Sequence, residues 1–372
     1  MEQVYDKKKD CCGCSACYNI CPTDAIEMIA DEEGFLYPLI DQDLCIDCYE
    51  CRDVCPYIQE GHFKEESEPD FYVAKHKDVS VLKKSTSGGA FTSISDIILS
   101  QGGVVYGVDF DDDFKVLHKR TESIEGRNRM RISKYVQSDL GTIFQEIKRD
   151  IENEKNVLFT GTPCQNAGLR GYMGGSTYSE NLYLCDLICH SIPSPLVWED
   201  YKRLLEKEHG GILTDIHFRS KIIDWTRENS NKSFLYKTSS SDETYNDERY
   251  YQLFFGLKTI TRPACANCKF TDIHRASDIT IADYWGIEKY APEWMDTMGV
   301  SVLLINTKKG QELLDSMNDS MHYEKRPAQE SLNEQMRLSE PVEFPDYRSQ
   351  FWEDYQEYGF DYIIEQLEKA EG

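Results

Sequence analysis

Two cysteine runs of one spacing dominate the first sixty residues: Cys11-x2-Cys14-x2-Cys17-x3-Cys21-Pro22 and Cys45-x2-Cys48-x2-Cys51-x3-Cys55-Pro56. Three thiolates on one tight loop grip three irons of a four-iron cube. The fourth cysteine lies beyond the loop and, where two runs share a module, serves the other run's cluster. The spacing predicts one 4Fe–4S cluster on Cys11, Cys14, Cys17 and Cys55, and a second on Cys45, Cys48, Cys51 and Cys21. Zinc also uses C-x2-C pairs, but it takes four ligands in two pairs, not three in step plus a fourth before proline. Cys12 is out of step and reads as a spectator.

This is the spacing of the bacterial ferredoxins. Between the runs, Asp24–Ile29 and Gly34–Pro38 read as short strands with a turn at Asp31–Gly34, so residues 1–60 read as a small, pseudo-symmetric α+β module. Residues 61–70, Gly61 to Asp70, are acidic and aperiodic, which is the composition of a linker.

A chain of 372 residues holds two or three domains. No apolar run approaches the roughly 20 residues of a membrane span, and Met1–Lys7 lacks the apolar core of a secretory signal. Fourteen cysteines in cluster spacing point to a reducing cytoplasm. A net charge of −25 argues against nucleic acid, whose phosphates need a basic footprint. It suits either a basic partner or plain solubility.

After the linker, strands alternate with helices. Phe71–Ala74, Val104–Val108, Asn156–Thr160, Leu182–Cys189, Ile279–Ala282 and Val300–Ile305 read as strands. Phe91, Ile94, Ile97 and Ile98 form a helical stripe over Ala90–Leu99. The pattern predicts an α/β (α+β) catalytic domain with a mixed sheet, its first part over 71–150 and its second over 151–315. Residues 316–372 read as a polar helical tail anchored by Phe344, Tyr347, Phe351 and Trp352.

Ser85-Thr86-Ser87-Gly88-Gly89 before a helix suits an anion-binding start, and equally an ordinary Ser/Thr cap. Gly161-Thr162-Pro163-Cys164-Gln165 follows a strand, where α/β sheets place ligand residues. Five thiols lie outside the ferredoxin-type module: Cys164, Cys185, Cys189, Cys265 and Cys268. Four of them would ligate either a third 4Fe–4S cluster or a zinc ion, and spacing alone leaves both open.

Lys134–Ser138, Gly161–Gln165, Cys189-His190-Ser191-Ile192-Pro193-Ser194-Pro195, Arg262–Phe270 and Asp278–Gly286 follow one another in this order, with Ser85–Phe91 ahead. Together they resemble the β-subunit family of the coenzyme F420 hydrogenases and dehydrogenases, over about residues 71–310. The resemblance implies FAD in the α/β domain and a third 4Fe–4S cluster on Cys164, Cys189, Cys265 and Cys268, with Cys185 left over. Ser87, Gly88, Gly89, Lys134, Tyr135, Val136 and Gln137 fall at flavin contacts by the same carry-over, with Thr162 and Asp283 as further candidates. Ser191 and Ala282 depart from it, since many relatives have glycine there. His190 is the candidate proton donor, with a near-neutral pKa suited to the task; a histidine that merely orients its loop is the plain alternative. Arg219 and Trp225 border the substrate entrance by resemblance.

Clusters move single electrons and a flavin accepts one or two. The chain therefore reads as an FAD-containing iron–sulfur oxidoreductase, acting on a small organic substrate or on the deazaflavin coenzyme. The alternative is an electron-transfer subunit that feeds a separate catalytic protein, in a setting that bacterial relatives associate with surface polysaccharide. A cluster protein of purely structural role is the third reading.

Overall fold

A computed structural model describes residues 3–59, 61, 63–175, 179–221, 225–227 and 234–371. In the N-terminal module, β1 (Ile26–Ala30) and β2 (Leu36–Ile40) form an antiparallel hairpin with Ile26 opposite Ile40. The Asp31 carboxylate ties its turn by accepting from the backbone N–H of Glu33 and of Phe35. The two cysteine runs are built alike. Each opens a short helix, Ala16–Ile20 or Glu50–Asp53, through a residue in the left-handed region, Ser15 at φ 58° and Tyr49 at φ 64°. Val4, Cys17, Ile26, Ile40 and Cys51 close the core between them.

Strands β3 (Asp70–His76), β4 (Val104–Phe110), β5 (Val116–Thr121), β6 (Val157–Thr160) and β7 (Leu182–Leu187) begin the main sheet. Next, β8 (Leu213–His217), β9 (Leu235–Thr238) and β10 (Tyr245–Asn246) form a separate antiparallel sheet. The chain then returns to the main sheet with β11 (Ile279–Asp283), β12 (Ser301–Ile305) and β13 (Met321–Arg326). Its order is β13–β3–β12–β11–β7–β6–β4–β5. Neighbours among β4, β6, β7 and β11 pair in parallel, and the remaining neighbours pair antiparallel. The mixed α/β sheet and the ferredoxin-like module are thus as the sequence predicts.

The parallel strands are covered on both faces, hence their unbroken apolar runs. On one face the helix Ala90–Ser100 packs Ile94 and Ile98 against Val105, Leu158 and Leu303. On the other, Phe144 and Ile147 of the helix Ile143–Glu152 meet Tyr106 and Phe159, and Cys12, Cys14 and Ala16 of the cysteine module join the same cluster. Polar ties fasten the module further. Ser194 donates to the Glu33 carbonyl at 2.5 Å, Asn19 to that of Gly141 at 2.9 Å and Tyr57 to that of Ala264 at 3.1 Å. The Glu33 carboxylate also receives Arg348 at 2.9 Å.

Two sequence expectations differ from the structure. The tail is not helical throughout, because Met321–Arg326 forms the edge strand beside β3. Of its four aromatic anchors, Phe351 and Trp352 are buried, whereas Tyr347 is 48% exposed and Phe344 stacks beneath Arg348. Among its described residues the acidic stretch after the module has no regular element before Asp70, where β3 begins, but several of them are held down. Phe63 is buried, Lys64 pairs with Asp272 at 3.0 Å and Glu65 with Arg170 at 2.6 Å. His62 of that stretch lies outside the described residues. Among the described residues no helix is long and apolar enough to cross a membrane.

Candidate functional site

Twelve of the fourteen cysteines fall into three sets of four, each lining its own cavity. Cys21, Cys45, Cys48 and Cys51 line the outermost, with Cys48 exposed. Cys11, Cys14, Cys17 and Cys55 line the second, deeper in the module. Each set is three cysteines of one run plus the fourth of the other. Burial pushes the Cys51 thiol up to about 11 and that of Cys55 up to about 12. Such thiols give up their protons readily only to a metal, which is the donor chemistry a four-iron cube uses.

Cys164, Cys189, Cys265 and Cys268 line the third cavity. Cys164 sits in the first turn of the helix Pro163–Tyr172, where a capping box of Thr162 and Gln165 fixes the turn directly after β6. Cys189 follows β7, Cys265 lies within the 3-10 turn Pro263–Asn267, and Cys268 follows it. Among the described residues no three or more His, Cys, Asp or Glu converge on a single metal ion. The four thiols border one shared cavity. Cys185 is 1% exposed in the sheet core, and burial keeps its thiol protonated.

Cys12 is more than a bystander in position. It borders the second and the third cavity, and the neighbouring Cys14 and Cys164 thiols push its own thiol up. In turn it pulls the Cys164 thiol down to about 7. Tyr57 borders the same two cavities. Arg262 is 1% exposed beside them, and its side-chain hydrogen bonds run to carbonyl oxygens and to the Cys11 sulfur rather than to a carboxylate. A buried cation without a counter-ion is costly; clusters held by four thiolates are anions and fit that charge.

A larger cavity of about 260 Å³ opens at the carboxyl ends of the parallel strands, bordered by Thr160, Leu187 and Asp283. Ser87, Gly89, Lys134, Tyr135, Val136, Thr162 and His190 line it too. Gly88 and Gln137 do not. Gly88 faces the sheet, where a Cβ would stand 2.5 Å from the Ala74 carbonyl. Gln137 turns toward the cysteines and donates to the Cys12 carbonyl at 3.2 Å. The Lys134 ammonium is occupied by the carbonyls of Arg129, Arg131 and Ile132, so it shapes the loop. Asp283 is likewise engaged, with Arg219 at 2.5 Å and the Trp225 indole at 2.6 Å. Trp225 is buried, stacked on Trp285, and is not at an entrance.

Sequence reading missed Arg131, whose buried Nε has no partner and which lines the cavity. It also missed Gln335 of the tail, which lines the cavity and donates to the Asp283 carbonyl at 2.6 Å. Neither lies in a motif. An unpartnered guanidinium nitrogen, the start of the helix Ala90–Ser100 and the Tyr135 ring together suit a flavin dinucleotide, with its paired phosphates and flat apolar ring. His190 lines the cavity and is exposed there, its ring edge-on to Phe255 at 6.1 Å between centres.

The C-terminal region of the coenzyme F420 hydrogenase/dehydrogenase beta-subunit family matches residues 154–331. The match takes in 178 of the 372 residues and contains the motifs Gly161–Gln165, Cys189–Pro195, Arg262–Phe270 and Asp278–Gly286 that carry the resemblance. A 4Fe–4S dicluster domain matches residues 10–58, so an iron–sulfur module precedes the β-subunit region. An uncharacterised polyferredoxin-like protein of Methanocaldococcus jannaschii is 41% identical over 54 residues, 12% of this chain. The chain spans 32% of that relative's length. A ferredoxin of Alicyclobacillus acidocaldarius is 44% identical over 57 residues, 15% of this chain and 67% of its own. A chain of the F420-reducing NiFe hydrogenase complex from Methanosarcina barkeri is 16% identical, with a TM-score of 0.49, covering 79% of this chain and 94% of that one.

Proposed function

We propose that the protein is an FAD-containing iron–sulfur oxidoreductase in which three 4Fe–4S clusters and one flavin form a single line. The outer cluster is held by Cys21, Cys45, Cys48 and Cys51, the middle one by Cys11, Cys14, Cys17 and Cys55, and the inner one by Cys164, Cys189, Cys265 and Cys268. One observation carries the reading: the segment Cys189–Ile192 borders both the third cysteine cavity and the 260 Å³ cavity. A flavin bound there would exchange single electrons with the clusters and a hydride with a small organic substrate or the deazaflavin coenzyme.

The chain's own residues bind and orient. Ser87 and the Gly89–Ala90 backbone would hold the phosphates, Arg131 would supply a cation, and Tyr135 and Val136 would give the ring an apolar wall. Thr162 braces Cys164 at 3.2 Å, and Asp283 fixes Arg219 on the cavity wall. His190, exposed on the cavity wall, would offer a hydrogen bond to substrate. The matching division of the chain is a cluster module over 1–60, a catalytic domain over 71–315 and a tail over 316–372.

The test is flavin content. Acid-released FAD should approach one per chain in protein purified anaerobically or reconstituted. Arg131→Ala and Tyr135→Ala should weaken FAD binding by about tenfold or more while iron stays unchanged. Failure of the wild-type protein to bind FAD at all would sink the flavin reading.

One observation favours the partner-dependent alternative. Cys48 is exposed, and Leu44, Ile46 and Tyr49 beside it are at least half exposed, among Asp43, Asp47 and Glu50. Such a face suits a redox protein with an apolar centre and a basic rim. Turnover of substrate with artificial donors alone would count against a merely electron-feeding role.

A further inference from the structure

Arg262 belongs to two sites at once. Its backbone carbonyl receives the Cys265 N–H at 3.0 Å, and its own N–H donates to the Ile192 carbonyl at 2.9 Å, so its main chain is part of the third cysteine cavity. Arg262 borders that cavity, and its side chain runs on to Cys11 of the second set. Nε donates to the Cys11 carbonyl at 2.9 Å and one terminal nitrogen lies 3.7 Å from the Cys11 sulfur. That nitrogen also donates to the Leu36 carbonyl at 3.0 Å, and the guanidinium lies 4.2 Å from the Tyr37 ring centre. The other terminal nitrogen donates to Gln137 Oε1 at 2.8 Å, while Gln137 donates in turn to the Cys12 carbonyl. There is no slack here: a Cβ on Gly13 would stand 2.6 Å from Gln137 and 2.8 Å from Arg262.

We propose that Arg262 is a positioning residue that sets the reduction potentials of the middle and inner clusters, and leaves the outer one alone. The inference rests on the three-cluster reading above. A cluster gains one negative charge when it takes an electron, and no bond or proton moves with it. A fixed cation at its edge favours that reduced state, and burial keeps water and salt from screening the effect. A hydrogen bond to a ligand sulfur acts in the same direction. Every polar partner of the guanidinium here is a neutral carbonyl oxygen or the Cys11 sulfur, so its charge is not cancelled locally. The outer set lies at the exposed side of the module, and the guanidinium's hydrogen bonds reach Cys11 but none of its cysteines. Electrons arriving at the outer cluster are thereby drawn inward.

The experiment is a redox titration of the holoprotein followed by electron paramagnetic resonance, with iron counted on the same samples. Arg262→Gln should move two of three potentials to more negative values and leave the third in place, and Arg262→Lys should restore most of the shift. Gln137→Glu keeps the arginine but pairs its charge, and should shift the same two potentials in the same direction by less. It serves where Arg262→Gln loses iron. Unmoved potentials at full iron content, or equal movement of all three, would overturn the proposal. Wild-type iron of about eight per chain would refute the inner cluster; Arg262 would then be judged on the Cys11 set alone.

Discussion

Ser191 stands between Cys189 and the large cavity with φ 131°, a backbone region that favours glycine. Holding a side chain there costs about 1–3 kcal/mol. Ser191→Gly should therefore raise stability, read as a higher denaturant midpoint at unchanged slope; a lower midpoint would contradict the strain. His118 gives a pH dependence. It is 3% exposed, stacked on Phe159, with Nε2 3.1 Å from the Thr160 carbonyl, and burial pushes its imidazole down to about 4. A folded value below the unfolded one means that the unfolded chain takes the proton first. Its contribution is full above about pH 6.5 and fades as pH falls toward 4, by about 3 kcal/mol in all. His118→Gln should flatten the wild-type loss across that window, and equal slopes would contradict it. At this scale the two cysteine sets of the N-terminal module were legible, because spacing dictates which thiols share a loop, whereas the set Cys164, Cys189, Cys265 and Cys268 was left open by spacing and came only from the family resemblance. The orientations of Gly88 and Gln137 were not, since both sit in motifs whose neighbours line the cavity while they face elsewhere.

The helix Pro163–Tyr172 is the element that joins module to domain. It carries Cys164 at its start, and its Gly168 lies so close to Cys14 that a Cβ would stand 2.7 Å from the sulfur. Gly168→Ala must push the helix and the module apart. Iron per chain should fall by about four to eight while far-ultraviolet circular dichroism stays unchanged; full iron content would show that the contact yields cheaply. The alternating α/β pattern made the central strands readable, because buried parallel strands are continuous apolar runs. Strand β13 escaped because edge strands carry charge, here in His322-Tyr323-Glu324-Lys325-Arg326. The three-stranded sheet β8–β10 escaped because its strands are short and gain their place from an aromatic core of Trp198, Tyr201, Phe234 and Tyr250, contacts distant in sequence.

Across the whole molecule, the net charge of −25 and the exposed face at Cys48 act together. Electron exchange with a cationic redox protein should slow steeply with added salt, as screened steering does. A rate indifferent to salt would leave the acidic rim without that role. The central claim, however, is the line of three clusters ending at the large cavity, and iron content tests it most directly. Anaerobically purified protein should hold about twelve irons per chain, and the double variant Cys164→Ser, Cys189→Ser about eight. A wild-type value of about eight, unchanged in the double variant, would contradict the account: the module would hold all the iron, and the line would stop short of the cavity.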